Sequence, residues 1–542
     1  MPFRMTSTVS PVTTGIQNAI LIVLLLLCMA GCDGGGGDDS DSGPGINQLP
    51  IADFTVDPDR GVYPLTVHFD ASASFDPDGR IASYIWDFGD GSGGSGNLVE
   101  HVYATTGHYI ASLSVIDVRS GEMTTQCGIE VHRTIWNFYV DKPVYYSAPA
   151  VGPDGTIYFA TGILIHTSYG SLYALSPDGT LQWKFDLDNN SDDGDFWTSD
   201  NNGASPAIGD DGTIYLVDHR NVVYALHPDG TLKWKNNDYE SDSPWHVGQK
   251  TPAISEDGTL YVCAGLTLYA LDPADGQEIW QLGNLQGGNV NAVSAVTGAD
   301  GTIYISSNDM FYAVNPDGTY KWPSPFQLSE EHEKSYSSPA IATDGTIYFG
   351  AEGTWGTRQG QGYVYAVSPD GTLKWRYDVP GLRPVRASPA IASDGTIYVT
   401  TRAYFEDGIQ PALCLALNPE DGSLVWRYAI APKEGIPVAQ DAYTSPAVGA
   451  DGTIYFAAES NFIYALNPDG TLLWDVDTTD GINWSSPAIM PDGTLYIGGH
   501  HSTQEISWAG KLMAIKTESL GLADSPWPKF RHDNFNTGRF SP

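Results

Sequence analysis

Cysteine is scarce in this chain. Five occur in 542 residues, Cys28, Cys32, Cys127, Cys263 and Cys414, and none has metal-ligand spacing. That excludes a disulfide framework, and the last three, far apart and odd in number, read as small buried strand residues. Basic residues are also few, 26 Lys and Arg against 65 Asp and Glu. A net charge of −39 repels nucleic acid and anionic head groups, so no nucleic-acid partner is expected. Long apolar runs are missing: the longest, Ala19 to Ala30, falls short of the ~20 residues that span a bilayer. Helical periodicity is absent outside the extreme N-terminus, and no Gly-x-Ser-x-Gly nucleophile motif occurs.

What is abundant points to strands and turns. The chain holds 60 Gly, 35 Pro, 15 Trp and 30 Tyr, a mixture that suits many short strands joined by tight turns, hence an all-β fold. At the N-terminus, Arg4, the apolar run and Met29-Ala30-Gly31-Cys32 follow in order. This segment resembles a bacterial lipoprotein signal. The resemblance implies that residues 1–31 are removed and that Cys32 carries the lipid. The protein would then be exported and lipid-anchored to the inner or outer membrane, in the periplasm or on the cell surface, touching the bilayer through the anchor only. Residues 32–47, rich in Gly, Ser and Asp, read as a flexible acidic tether.

Residues 48–132 alternate in short runs such as Leu65-Thr66-Val67-His68-Phe69, the pattern of a β-sandwich. Trp86 and Phe88 share a face, expected to be the core, and Asp87 and Asp90 are placed to tie turn amides. Asp76 and Asp78 alone are too few for a cation site. The motifs Phe69-Asp70-Ala71-Ser72-Ala73-Ser74, Asp76-Pro77-Asp78-Gly79, Trp86-Asp87-Phe88-Gly89-Asp90-Gly91 and His101-Val102-Tyr103 resemble a PKD domain, which implies an immunoglobulin-like spacer or contact module.

From 133 to 516 one phrase recurs: Ser-Pro-Ala-Ile, then Asp-Gly-Thr-Ile-Tyr, then Tyr-Ala-Leu-x-Pro-Asp-Gly-Thr-Leu-x-Trp. Its first Asp falls at Asp154, Asp211, Asp257, Asp300, Asp344, Asp394, Asp451 and Asp492. Intervals of roughly 40–60 residues are those of a four-stranded propeller blade, with strands A to D running from channel to rim. Trp183, Trp234, Trp280, Trp322, Trp375, Trp426 and Trp474 end seven repeats. The eighth has no such Trp, but Trp136 stands as far ahead of Pro149 as Trp474 does of Pro487. The expectation is an eight-bladed β-propeller closed by the strand around Trp136, each Trp packing between blades. Ala270-Leu271-Asp272 to Trp280 and Ala416 to Trp426 resemble the PQQ-like, or quinoprotein-type, propeller family. Residues 517–542, with Trp527-Pro528-Lys529-Phe530-Arg531 and Asn536-Thr537-Gly538-Arg539, read as a strap over the disc.

The Asp-Gly turns are all short, so their face should be plain. The long insertions (186–203, 235–249, 351–361, 402–411, 427–443 and 500–509) all fall on the opposite face, the expected working face. It carries Trp197, Trp245, Trp355, Tyr404 and Trp508. Three residues before the strand A proline stand Tyr146, Tyr336, Arg386, Tyr443 and Trp484, expected around the channel mouth, where they suit a polysaccharide or protein ligand or simply plug the channel. Asp188, Asn190 and Asp192 alternate as calcium loops do, but Asp193 replaces the required Gly; a solvated acidic loop is the main reading and calcium the alternative. The propeller resemblance also includes quinone (PQQ)-dependent dehydrogenases, which carry adjacent cysteines over the cofactor. No such pair exists here, so a non-catalytic envelope scaffold without cofactor is expected. A dehydrogenase-like enzyme and an outer-membrane protein assembly factor are the alternatives.

Overall fold

The computed structural model describes residues 46–540, apart from 145–146, 163–169, 188–204, 219, 240–250, 286–293, 308, 329–332, 354–359, 404–409, 432–440, 459–460, 479–484 and 502–508. The signal segment and Cys32 lie outside the described residues. Every regular element described is a strand.

The first unit is a β-sandwich. One sheet pairs Thr55–Asp57, Leu65–Asp70 and Leu98–Tyr103; the other runs Arg60–Val62, Glu122–His132, Gly107–Asp117, Ile81–Asp87, Gly93–Ser95. Leu65–Asp70 alternates buried and exposed residue by residue, as one solvated face demands. Val67, Phe69, Trp86, Phe88, Tyr103 and Leu113 fill the space between the sheets. Asp87 accepts the Gly89 amide and Asp90 the Ser92 amide, each at 2.9 Å. Asp78 is taken by Arg119 at 2.8 Å.

Eight sheets follow. In the first, strand A is Ala150–Val151, B Ile157–Ala160, C Ser171–Leu175 and D Leu181–Asp186, all antiparallel and in that order. Six more repeat this plan, the fifth with Glu333–Lys334 added beside its strand B, Ile347–Gly353. The last sheet runs Ala488–Ile489, Thr494–His501, Ala509–Lys516 and then Thr134–Val140, with Trp136 opposite Ala514. Strands B and C are buried on both faces, as in Ile214–Val217 and Val223–Leu226, because each sheet lies between two others. Strands D keep exposed positions, as in Leu424–Ala429.

The tryptophans tie each sheet to the next. Trp136 donates its indole N–H to the Pro177 carbonyl at 2.9 Å, Trp183 to Pro228 at 2.8 Å and Trp234 to Pro273 at 2.9 Å. Trp280, Trp322, Trp375 and Trp426 repeat this to Pro316, Pro369, Pro419 and Pro468. Trp474 faces the last sheet, where no such turn joins strands C and D, and bonds Glu518 instead at 2.8 Å. Cys263 and Cys414 are buried as expected, whereas Cys127 is only half-buried in the sandwich.

Sandwich and propeller join without a spacer at Arg133. Its guanidinium lies between the rings of Tyr63 and Trp474, 4.4 Å from each centroid, and bonds Glu518 at 2.7 Å and the Lys516 carbonyl at 3.2 Å.

Candidate binding site

Strand A of each blade lines the channel, and the two ends of that channel differ. The A–B and C–D turns share one end: the Gly155 turn lies against Pro177 of the C–D turn, and Gly345 against Pro369. Here the C-terminal strap runs along the strand A edges. Carbonyls of Asn534, Phe535, Thr537 and Gly538 accept the amides of Val151, Ile208, Ile254 and Thr297 at 2.7–3.0 Å, and those of Trp527 and Pro528 accept Ile391 and Val448. The strap was expected over the disc; its charged residues go deeper than that. Lys529, Arg531 and Asn536 are fully buried. Asn536 donates to the Ala148 and Pro206 carbonyls, and Arg531 to those of Pro252 and Ala295, so the chain turns before four successive strands A are satisfied by two side chains. Lys529 bonds the Asp533 carbonyl at 3.0 Å and Asn536 at 2.8 Å.

At the other end lie the described residues that precede strands A. Of the five mouth positions, Tyr336, Arg386 and Tyr443 are described. Tyr146 and Trp484 lie outside the described residues, as do Trp197, Trp245, Trp355, Trp508 and the acidic triplet Asp188, Asn190 and Asp192. Arg386 is not an open guanidinium. It forks onto Glu352 at 2.8 and 2.7 Å, with the Tyr336 ring 4.6 Å away. Burial alone would lower the guanidinium pKa, but the Glu352 carboxylate outweighs it and holds Arg386 above its ordinary value.

Sequence reasoning missed that this unit recurs. Arg402 lies 4.7 Å from the Tyr443 ring and contacts Asp441 at 3.2 Å. On the outer strand D of the fifth blade, away from the channel, Arg376 lies 5.0 Å from the Tyr363 ring, with Asp378 at 2.8 Å and Glu333 at 3.6 Å. Arg386 and Arg402 are each matched by a carboxylate from a distant stretch of chain, so this end presents neutralised ion pairs and aromatic rings fixed by packing. Among the described residues no cluster of three or more His, Cys, Asp or Glu is arranged to hold a metal.

A family model described as outer membrane protein assembly factor BamB matches residues 130–358 and 360–519, most of the chain. The chain belongs to that family. A PKD domain model matches residues 47–131, ahead of the BamB-like propeller. Among curated relatives, outer membrane protein assembly factor BamB of Yersinia pestis is 24% identical over 310 residues, covering 53% of this chain and 69% of that protein. Collagenase ColA of Clostridium perfringens is 27% identical over 199 residues, covering 31% of this chain; the chain spans only 17% of the collagenase. Among solved structures, BamB from Moraxella catarrhalis covers 71% of this chain and 97% of its own at 14% identity and TM-score 0.49. The PKD1 domain of Vibrio anguillarum Epp covers 16% of this chain and 96% of its own at 34% identity and TM-score 0.14. The BamB-like propeller and the PKD sandwich are thus consecutive units of one chain.

Proposed function

We propose that this chain is a non-catalytic, lipid-anchored scaffold of the bacterial cell envelope that binds a protein or carbohydrate ligand at the long-loop end of its channel. The observation that carries the reading is the mouth itself, where Arg386 and Arg402 are each paired with a carboxylate beside a tyrosine ring, Tyr336 and Tyr443. Rigid aromatics among satisfied ion pairs suit recognition, since they lose little freedom on binding. Reading the disc as eight blades closed by Thr134–Val140 belongs to the proposal and is supported by the ladder to Ala509–Lys516. Anchoring rests on Cys32. The reading includes no cofactor and no nucleic-acid partner; a PQQ-dependent dehydrogenase is the alternative it displaces.

Glycan-array binding and co-purification of the intact lipoprotein test this. A ligand captured by the wild type and lost with Tyr336→Ala or Tyr443→Ala supports the mouth. Quinone-dependent dye reduction by purified protein would overturn the non-catalytic reading. Incorporation of labelled fatty acid should vanish in Cys32→Ser. A second reading, an outer-membrane protein assembly factor, is favoured by the family match over residues 130–519. It predicts that β-barrel assembly components appear among the co-purified proteins.

A further inference from the structure

The strands of the sandwich run between two poles. At one, Arg133 meets the propeller and the Tyr63 amide bonds the His132 carbonyl at 2.9 Å. Strands Glu122–His132 and Gly107–Asp117, 11 residues each, lead from there to the opposite pole, roughly 35 Å away. Three segments meet at that far pole: residues 46–51, which lead into the sandwich, the loop 75–80 and the turn 117–121. Asn47 bonds Asp117 at 2.8 Å, Arg119 bonds Asp78 at 2.8 Å, and the Val118 amide bonds the Arg80 carbonyl at 3.2 Å.

This pole exposes Ile46, Leu49, Ile51, Phe75 and Val118, with Leu49 and Phe75 each 52% accessible, Ile51 45% and Val118 48%. The side chains form one patch. Ile51 and Phe75 exchange both backbone hydrogen bonds, at 2.7 and 3.1 Å, which sets their side chains next to each other on one face. Leu49 lies on the same side as Ile51, with Pro50 buried between them, and stands over Gly121. Val118 is on that same turn, against Gly79. A contiguous apolar patch of this kind gains burial only against something outside the sandwich.

The segment that leads into the patch indicates what covers it. Residues 33–45 link Ile46 to Cys32, a stretch that reaches at most roughly 50 Å. A lipid on Cys32 holds this pole within that distance of the bilayer, so a contact that is weak between free partners becomes intramolecular. The acids of the pole are engaged: Asp78 by Arg119, Asp117 by Asn47, and Asp76 by the Asp78 amide at 3.3 Å. Arg80, exposed beside them, is placed to meet a lipid phosphate. The chain's net charge of −39 disfavours an anionic surface, which leaves a zwitterionic one.

We propose that the far pole of the sandwich docks on a zwitterionic lipid surface, with Leu49, Ile51, Phe75 and Val118 among the head groups. The proposal rests on anchoring at Cys32 and adds a second contact to it, where the sequence predicted the anchor alone. The sandwich then stands as a pillar that carries the propeller roughly 35 Å off the bilayer.

Hydrogen exchange on the lipidated chain in phosphatidylcholine vesicles tests this, with the chain from residue 32 carrying Cys32→Ser, mixed with the same vesicles, as reference. Amides of residues 117–121 should exchange about threefold or more slowly in the lipidated chain. Leu49→Ser combined with Phe75→Ser should abolish that slowing, because docking scales with the apolar area buried. The Val67 and Leu113 amides should stay protected in this variant, since both substituted side chains are half-exposed. Ile110→Ser, at an exposed site near the propeller end of the same sandwich, should leave the slowing intact. Mass spectrometry separates the two readings. A chain without lipid overturns the anchoring and this proposal with it. A lipidated chain with no slowing at 117–121, or an equal loss in Ile110→Ser, overturns the docking alone. Slowing that appears without vesicles and grows with protein concentration assigns the patch to a second copy of the chain and also overturns it.

Discussion

At the residue scale, the seam between blades rests on an indole laid over a glycine. Trp375 donates to the Pro419 carbonyl at 2.8 Å and leans on Tyr348, with ring centroids 5.6 Å apart. Beneath it, Gly422 has φ of 70°, and a Cβ there would stand 2.5 Å from the indole. Trp375→Ala should cost ~3–5 kcal/mol of unfolding free energy, and Gly422→Ala ~1–3 kcal/mol from strain and the collision, both read by denaturant titration. A second residue effect depends on pH. Burial depresses the Lys529 ammonium from 10.5 to about 7, with Asp533 opposing and Arg531 assisting. Above pH 7 the unfolded chain therefore keeps a proton that the folded chain has released. Stability should rise with pH from about 7 until the free-lysine value near 10.5. Melting temperatures at pH 7, 8 and 9 should show this rise in the wild type and less of it in Lys529→Met.

At the element scale, the strap is the segment whose removal should reach farthest. Its carbonyls accept amides from six strands A, each bond contributing ~1 kcal/mol. Deleting residues 524–542 should lower the melting temperature and speed hydrogen exchange at Val151, Ile208, Ile254, Ile391 and Val448. The sandwich amides should be unaffected. The recurring Asp-Gly turns and closing tryptophans made the blade plan readable in the sequence, since their spacing is local. The strap was readable only as a covering, because Lys529 and Arg531 are of the type expected in water and become buried only where a ring of unpaired carbonyls awaits them. Arg386 stood out in the sequence by its place three residues before the strand A proline, but its partner Glu352 comes from the preceding blade, and a partner brought by the fold leaves no mark in local spacing.

At the scale of the whole molecule, the guanidinium of Arg133 decides how the sandwich is carried. Held between Tyr63 and Trp474 and bonded to Glu518, it fixes the first unit to the last stretch of the propeller. Cation–π contacts of this kind are worth ~0.5–2 kcal/mol each. Arg133→Ala should loosen the junction, and small-angle scattering should record a larger radius of gyration with both units still folded. An unchanged profile would mean that the junction does not depend on this side chain.

The ladder between Thr134–Val140 and Ala509–Lys516 also has a consequence in time. The first propeller strand to be synthesised waits for a partner made almost last, and until then its edge amides face water. Contacts this distant along the chain form late and slowly. A nascent polypeptide still emerging from the ribosome cannot lock its disc early, so a conduit that threads it through a membrane would meet a pliable polymer.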